Sequence, residues 1–373
     1  MTHANPMLLE STSHGPRPTS QPLAPKRILV IRLDRIGDVV LSTPVLEVLR
    51  RHFPHAFVAM MVRPSCQDLL HGNPFLNEVI VYEKEGRHQS VWGTLRFARW
   101  LRRYEFDTAL VLHPSVRSHW IPWLARIPVR IGYHRKAGRL LTHRVPHRKQ
   151  EGAQHEAVYT LELLKVFGIQ PPAPHPRVPI QARACARVDR LLAEASVAPT
   201  QRLIAIHPSA SCVSKRWMPQ RFAQVADQLI AQHGVRVCLV AGAADAVQAH
   251  AVANAMTAPV VNLAGRLGVA ELAALLARCR LLISNDSGPV HVAAAVETPV
   301  VAIFGRNQRG LSPQRWGPIG PGHVVLHKEV GCVTCLAHQC DIGFLCLTAL
   351  SVEEVVQSAS AVLQREKFID GRS

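Results

Sequence analysis

Five short stretches of this chain, FGRN (304–307) the last of them along the sequence, are the loops where chemistry is expected. The first, RLDRIGD (32–38), sets Asp34 and Asp38 among arginines, with Gly37-Asp38 at the expected start of a helix. A carboxylate in that position either caps free helix N–H groups or serves as general base to a hydroxyl within reach, and Asp34 is a rival on the same loop. The second, HPSASCVSKRW (207–217), carries Ser209, Ser211, Ser214, Lys215 and Arg216 ahead of a helix expected from Pro219. Hydroxyls, two cations and helix N–H groups converging there suit a diphosphate; the plainer alternative is a solvated serine-rich loop. No GxxxxGK[ST] is present, so this is not a P-loop. The third, NDSGPVH (285–291), offers Asp286 or Ser287 as a helix cap, while Gly288 allows backbone N–H groups to approach a ligand. His291, one turn later, is expected to pack or brace the loop. The fourth, AGAAD (241–245), brings Asp245 to the end of another apolar run.

These loops need strands behind them, and the pattern supplies them. RILVI (27–31), HAFVAMMV (55–62), EVIVY (78–82) and DTALVLH (107–113) read as strands, and 88–103 as an amphipathic helix. Residues 170–180 (QPPAPHPRVPI) hold five prolines and read as a linker. A second series follows, with strands at 202–207, 235–242, 259–264, 280–286 and 299–305 alternating with helical patterns. The rhythm predicts an α/β fold of two doubly wound halves facing across a cleft, with ligands on the loops after the strands. The predicted organisation is a flexible tail over 1–25, a domain over 26–169, the linker over 170–180, a second domain over 181–350, and a C-terminal helix and tail over 351–373 packing back on the first domain.

The balance of 43 Lys and Arg against 26 Asp and Glu gives a net charge of +17, unevenly spread: +12 over residues 1–180 and +5 over the rest. Such an excess implies an anionic partner: nucleic acid, a membrane surface or a phosphorylated substrate. Residues 117–149 alone hold nine Lys and Arg and no acid. No zinc-finger, RNP or helix-turn-helix signal supports nucleic acid. No run approaches the roughly 20 apolar residues of a membrane span, and the start of the chain lacks the apolar core of a signal peptide. A cytoplasmic location is therefore expected, with any membrane contact peripheral. Cys332, Cys335, Cys340 and Cys346 follow a CxxC-x4-C-x5-C spacing. Structural zinc or an iron–sulfur cluster is one reading; reduced or locally cross-linked thiols are the other.

RILVIRLDRIGDVVLSTPVLEVLRRHFPHA, HPSASCVSKRWMPQRFAQVADQL and LLISNDSGPVHVAAAVETPVVAIFG, in that order, resemble the glycosyltransferase family 9 heptosyltransferases. VRIGYHRKAGRLLTHRV, QHEAVYTLELLKVFGI and the segment 331–350 extend the resemblance over nearly the whole chain from Lys26. It implies a GT-B fold of two Rossmann-like domains, the acceptor held mainly by the first and a nucleotide sugar by the second. It implies inverting transfer of heptose from ADP-L-glycero-D-manno-heptose to a lipopolysaccharide inner-core acceptor, with no metal or other cofactor. Asp38 then matches the base, Lys215 the phosphate-binding lysine and Asp286 the sugar-contacting carboxylate. Ser209, Ser211, Ser287 and Gly288 match phosphate contacts, and Asp245 falls near a ribose-contacting carboxylate. Arg35, Arg135, Lys136 and Arg139 become the patch for a phosphorylated lipid A–Kdo acceptor and the anionic inner-membrane surface. A family 9 transferase with another sugar or core acceptor shares these motifs. A GT-B-like sugar-nucleotide epimerase would need the nucleotide site without the lipid acceptor.

Overall fold

The computed structural model describes residues 23–306, 308–332, 335 and 338–370. Most of the expected tail, residues 1–22, lies outside the described residues.

RILVI forms β1 (Arg27–Ile31), whose last four residues are fully buried. That is the burial of a central parallel strand covered on both faces. The first sheet continues with β2 (Phe57–Val62), β3 (Glu78–Val81), β4 (Thr108–Val111), β5 (Val129–Tyr133) and β6 (His143–Val145), all parallel, in the order β3-β2-β1-β4-β5-β6. Helices α1 (Ile36–Val40) and α2 (Thr43–His52) follow β1, α3 (Val91–Leu101) and α4 (Val116–Leu124) flank β4, and α5 (Glu156–Glu162) closes the unit. Val45, Leu46 and Leu49 of α2 pack on one sheet face with Tyr159 and Leu161 of α5. Phe97 and Leu101 of α3 and Ile121 of α4 pack on the other.

The second half repeats the design. Its strands are β7 (Leu203–His207), β8 (Arg236–Leu239), β9 (Val261–Asn262), β10 (Cys279–Asn285), β11 (Val300–Phe304) and β12 (Val324–His327), parallel, in the order β12-β11-β10-β7-β8-β9. Its helices are α6 (Ala182–Glu194), α7 (Pro219–His233), α8 (Ala246–Ala255), α9 (Val269–Arg278), α10 (Gly288–Ala295), α11 (Pro313–Trp316), α12 (Leu345–Thr348) and α13 (Val352–Asp370). Counted within its own half, each sheet has the doubly wound strand order, with its switch point between the first and fourth strands.

The C-terminal helix departs from expectation. Rather than returning to the first domain, α13 packs on α7, β10 and β11 of the second. Val352, Val355, Val356, Ala359, Val362 and Leu363 join Trp217, Phe222 and Leu229 in one buried cluster. The reason is burial: α13 and α7 bring their apolar residues into one cluster with the second sheet. Residues 170–180 carry no regular secondary structure, yet they pack at the junction of the halves: Val178 is buried in a cluster built mostly by the second domain, and the Arg177 N–H donates to Thr43 Oγ1 of the first at 3.1 Å.

Two close approaches join the halves. Helix α1 meets α10, and a Cβ at Gly37 would sit 2.6 Å from the buried His291 ring. Gly152 has φ +62°, and a Cβ there would lie 2.0 Å from the Arg309 carbonyl oxygen. Both positions exclude a larger residue by contact with the opposite domain.

Candidate active site

A cleft of about 1760 Å³ lies between the domains, lined by the loops that follow β1, β4, β7, β8 and β10. Both switch points open into it, the place where α/β sheets bind ligands. Asp38, Arg35, Ser211, Lys215, Asp245, Asp286, Ser287 and Gly288 all line it, as do Arg135 and Lys136. Two expected residues do not. The Ser209 hydroxyl is buried and donates to the Asp245 carbonyl oxygen at 3.2 Å, so it braces the neighbouring loop instead of facing a ligand. Arg139 is exposed but outside the cleft lining, on the turn Gly138–Leu140, which lies against α4.

Asp38 does not cap α1. The N-cap position is Arg35, which makes no side-chain cap bond. The Asp38 carboxylate instead receives Arg32 Nη2 at 2.5 Å. Arg32 also reaches Asp34 through Nε at 2.9 Å and Glu156 at 3.1 Å, and it is fully buried. Asp34 holds His113 Nδ1 at 2.9 Å, and His113 lines the cleft from the end of β4. The two aspartates are therefore not equivalent. Burial raises the proton affinity of both, but Arg32 and His113 outweigh it at Asp34, which falls below the usual carboxylate range. At Asp38, burial dominates, with Asp34 and Glu156 adding repulsion, and its carboxyl is pushed up despite Arg32. Asp38 is the stronger base of the pair.

The floor of the cleft holds a charge cluster that the sequence does not announce. Glu156 is buried at the start of α5 and takes Lys149 at 2.5 Å and Arg32 at 3.1 Å from its own domain, and Arg315 at 2.7 Å from the other. Burial opposes its ionisation, but the three cations hold its carboxyl far below the ordinary value. Burial likewise pushes the Lys149 ammonium down to about 8, against Glu156. The signal available beforehand was weak: Glu156 lies within QHEAVYT, and Arg32 directly follows a buried strand.

On the opposite wall, Lys215 Nζ pairs with Asp286 Oδ2 at 2.6 Å. Burial raises the Asp286 carboxyl, with Lys215 opposing. The loop that carries Lys215 is pinned by Trp217, which is fully buried; its indole N–H donates to the Leu350 carbonyl at 3.3 Å and its backbone N–H to Asn285 Oδ1 at 3.0 Å. Asn285 Nδ2 in turn donates to the Pro208 carbonyl at 2.6 Å, tying the β7 and β10 loops together. Ser287 is the N-cap residue of α10 but makes no cap bond; its hydroxyl meets His207 Nδ1 at 3.1 Å and Ser284 Oγ at 3.1 Å. His207 is pushed down to about 4 by burial, and His291 to about 3, so both are neutral partners. Among the described residues, Cys332, Cys340 and Cys346 form no disulfide. Among the described residues, no group of three or more His, Cys, Asp or Glu side chains is arranged to hold a metal ion.

The chain resembles known proteins along most of its length. Residues 94–345 match the family model of glycosyltransferase family 9 (heptosyltransferase). The chain is 29% identical to lipopolysaccharide heptosyltransferase 2 of Salmonella typhimurium over 296 residues, covering 77% of this chain and 85% of that protein. It superposes on a family 9 glycosyl transferase of Veillonella parvula with TM-score 0.84 at 28% identity, covering 91% and 98% of the two chains. It superposes on ADP-heptose LPS heptosyltransferase II of E. coli with TM-score 0.77 at 25% identity, covering 91% and 99%. With two facing Rossmann-like domains, a basic cleft at both switch points and these matches, the chain has the GT-B fold and belongs to glycosyltransferase family 9, the heptosyltransferases.

Proposed function

We propose that this protein transfers heptose from ADP-L-glycero-D-manno-heptose to a phosphorylated lipopolysaccharide inner-core acceptor, with inversion and without a metal. The observation that carries the proposal is the pairing of two walls in one cleft: a proton-accepting Asp38 on the first domain and the Lys215–Asp286 pair on the second. The related E. coli structure is described as an ADP-heptose LPS heptosyltransferase, which supports this choice of donor and acceptor.

In the proposed step, the acceptor hydroxyl oxygen attacks the anomeric carbon on the face opposite ADP. A new C–O bond forms as the bond to the diphosphate oxygen breaks, and the hydroxyl proton passes to Asp38. Negative charge grows on the leaving diphosphate, where Lys215, Arg306, the Ser211 and Ser287 hydroxyls and the N–H groups opening α10 stabilise it. Fixed cations supply there the charge that a divalent ion supplies in other transferases. Asp286 holds Lys215 in place and presents its second oxygen to the donor sugar, and Asp245 lies where the ribose is expected. Arg35, Arg135 and Lys136, exposed at the cleft, meet the phosphates of the acceptor, which is presented at the cytoplasmic face of the inner membrane.

The test is turnover of ADP-heptose against other nucleotide sugars on truncated lipopolysaccharide acceptors, with Asp38→Asn beside the native protein. Asp38→Asn is expected to lower kcat by about 10²–10⁴-fold with the melting temperature and ADP affinity kept. A folded Asp38→Asn protein turning over normally would falsify the assignment of the base, and turnover of another nucleotide sugar alone would overturn the donor.

A further inference from the structure

Helices α3 and α4 lie side by side over the same face of the first sheet, burying Phe97, Leu101 and Ile121 beneath them. Their outer surface is unusual in composition. Val116, Trp120 and Trp123 recur at helical spacing along α4 and are 43%, 40% and 49% exposed. At the start of α3, Val91 is 62% and Trp92 is 81% exposed. An amphipathic helix of a soluble domain normally shows water a polar stripe, whereas α4 shows it tryptophan on one side and buries Ser118 and His119 on the other.

Cations frame this apolar face. Arg96 and Arg99 are exposed on α3, and with Arg87 and Trp92 they wall a shallow groove of about 490 Å³. Arg126 and Arg139 stand exposed beyond α4, and no Asp or Glu occurs between Asp107 and Glu151. Among the described residues, Arg96, Arg99 and Arg126 enter no ion pair with an acid of this chain.

The two helices are clamped into one plate. Arg117 of α4 donates to the carbonyls of Lys84 at 2.9 Å and His88 at 3.4 Å, in the loop leading into α3. Arg102, just after α3, donates to the Leu124 carbonyl at the end of α4 at 2.9 Å. The plate also has a direction: α4 starts immediately after β4, whose following residue His113 lines the cleft, so Val91, Trp92 and Val116 stand at the cleft end.

We propose that the outer face of α3 and α4 is a docking surface for an anionic phospholipid bilayer, with Trp92, Trp120 and Trp123 seated at headgroup depth and Arg96, Arg99 and Arg126 on the lipid phosphates. Tryptophan fits this depth because its ring is apolar and its indole N–H needs a polar partner. A second copy of the chain is disfavoured as occupant, because a two-fold interface would set this cationic face against itself. Docking here turns the acceptor side of the cleft toward the membrane that carries its substrate. In that respect the inference rests on the lipopolysaccharide acceptor proposed above, although the binding step needs neither sugar nucleotide nor acceptor.

The experiment is co-sedimentation of the full chain with vesicles of phosphatidylcholine alone or with one-third phosphatidylglycerol. The native protein should bind the anionic vesicles and be released by salt. Trp120→Glu with Trp123→Glu, and separately Arg96→Glu with Arg99→Glu, should each weaken binding by about tenfold or more. Both variants should keep native turnover on a soluble, deacylated acceptor. Equal binding of native and variant proteins to anionic vesicles, or binding indifferent to lipid charge, overturns the proposal. So does a dimer in sedimentation velocity that the tryptophan substitutions split, which would assign the face to a second copy. Loss of vesicle binding with soluble turnover intact isolates this surface from the chemistry; the reverse pattern faults the transferase reading alone.

Discussion

At the scale of single residues, the cleft works because buried charges set one another. That Asp38, Lys215 and Asp286 line the cleft was legible in the sequence, because each lies on a loop that follows an apolar run, where a doubly wound sheet opens to ligands. Ser209 was misplaced for the same reason: its position in the loop is right, but its rotamer points to the Asp245 carbonyl. Arg32 and Glu156 were not legible, since they lie 124 residues apart and only the folded chain brings them together. Glu156 serves three cations at once, so its loss takes the acid from buried Lys149 and from Arg315 and leaves Arg32 with only Asp34 and Asp38. Glu156→Gln should cost about 3–5 kcal/mol of stability, read by denaturant titration. Its acid dependence follows from the depressed carboxyl. The contribution is fully present above the ordinary value of 4.5 and is lost as pH falls from there toward the folded-state value. Melting temperatures between pH 6 and pH 3 should therefore fall more steeply for the native protein than for Glu156→Gln.

At the scale of elements, the strands with continuous apolar runs were readable, while β5, β6 and β12 were not. VRIGY carries an arginine inside a five-residue strand and HRV is only three residues long, so neither stands out from the basic stretch around it. VVLH is partly exposed at the sheet edge. The one-sided stripe of α13 was visible, but not its destination, because a stripe says that a face is buried and not against what. The contact of α1 with α10 gives this scale its sharpest test. Gly37→Ala drives a methyl into His291 and should force the two helices apart at a cost of about 1–3 kcal/mol. Because Asp38 is the next residue, turnover should fall with the melting temperature. Adding His291→Ala removes the obstructing ring and should recover much of both; a double variant as impaired as Gly37→Ala alone would show that the contact is not steric.

At the scale of the whole molecule, the net charge of +17 falls on distinct parts of the surface, for which different partners are proposed. The excess of the first half is spent partly in the cleft, at Arg35, Arg135 and Lys136, and partly on the α3–α4 face. Neither domain has a complete site. In the proposed reaction the first supplies the base and the second the diphosphate cations, and Arg315 on Glu156, His155 on the Gly317 carbonyl at 2.9 Å and Gly152 on Arg309 hold the halves together. One consequence concerns ionic strength. Closed, the floor balances Arg32, Lys149 and Arg315 against Asp34, Asp38 and Glu156. If the domains rotate apart, Arg315 leaves with the second, so an acidic floor faces a more cationic wall. Separation then works against an attraction between unlike charges, and dissolved ions weaken that attraction as the gap fills with water. The radius of gyration measured by small-angle scattering should accordingly grow with salt in the native protein. In Arg315→Ala it should start larger and change little. The Arg315–Glu156 contact should thus also act as a gauge of the medium around it, loosening as the solution grows saltier.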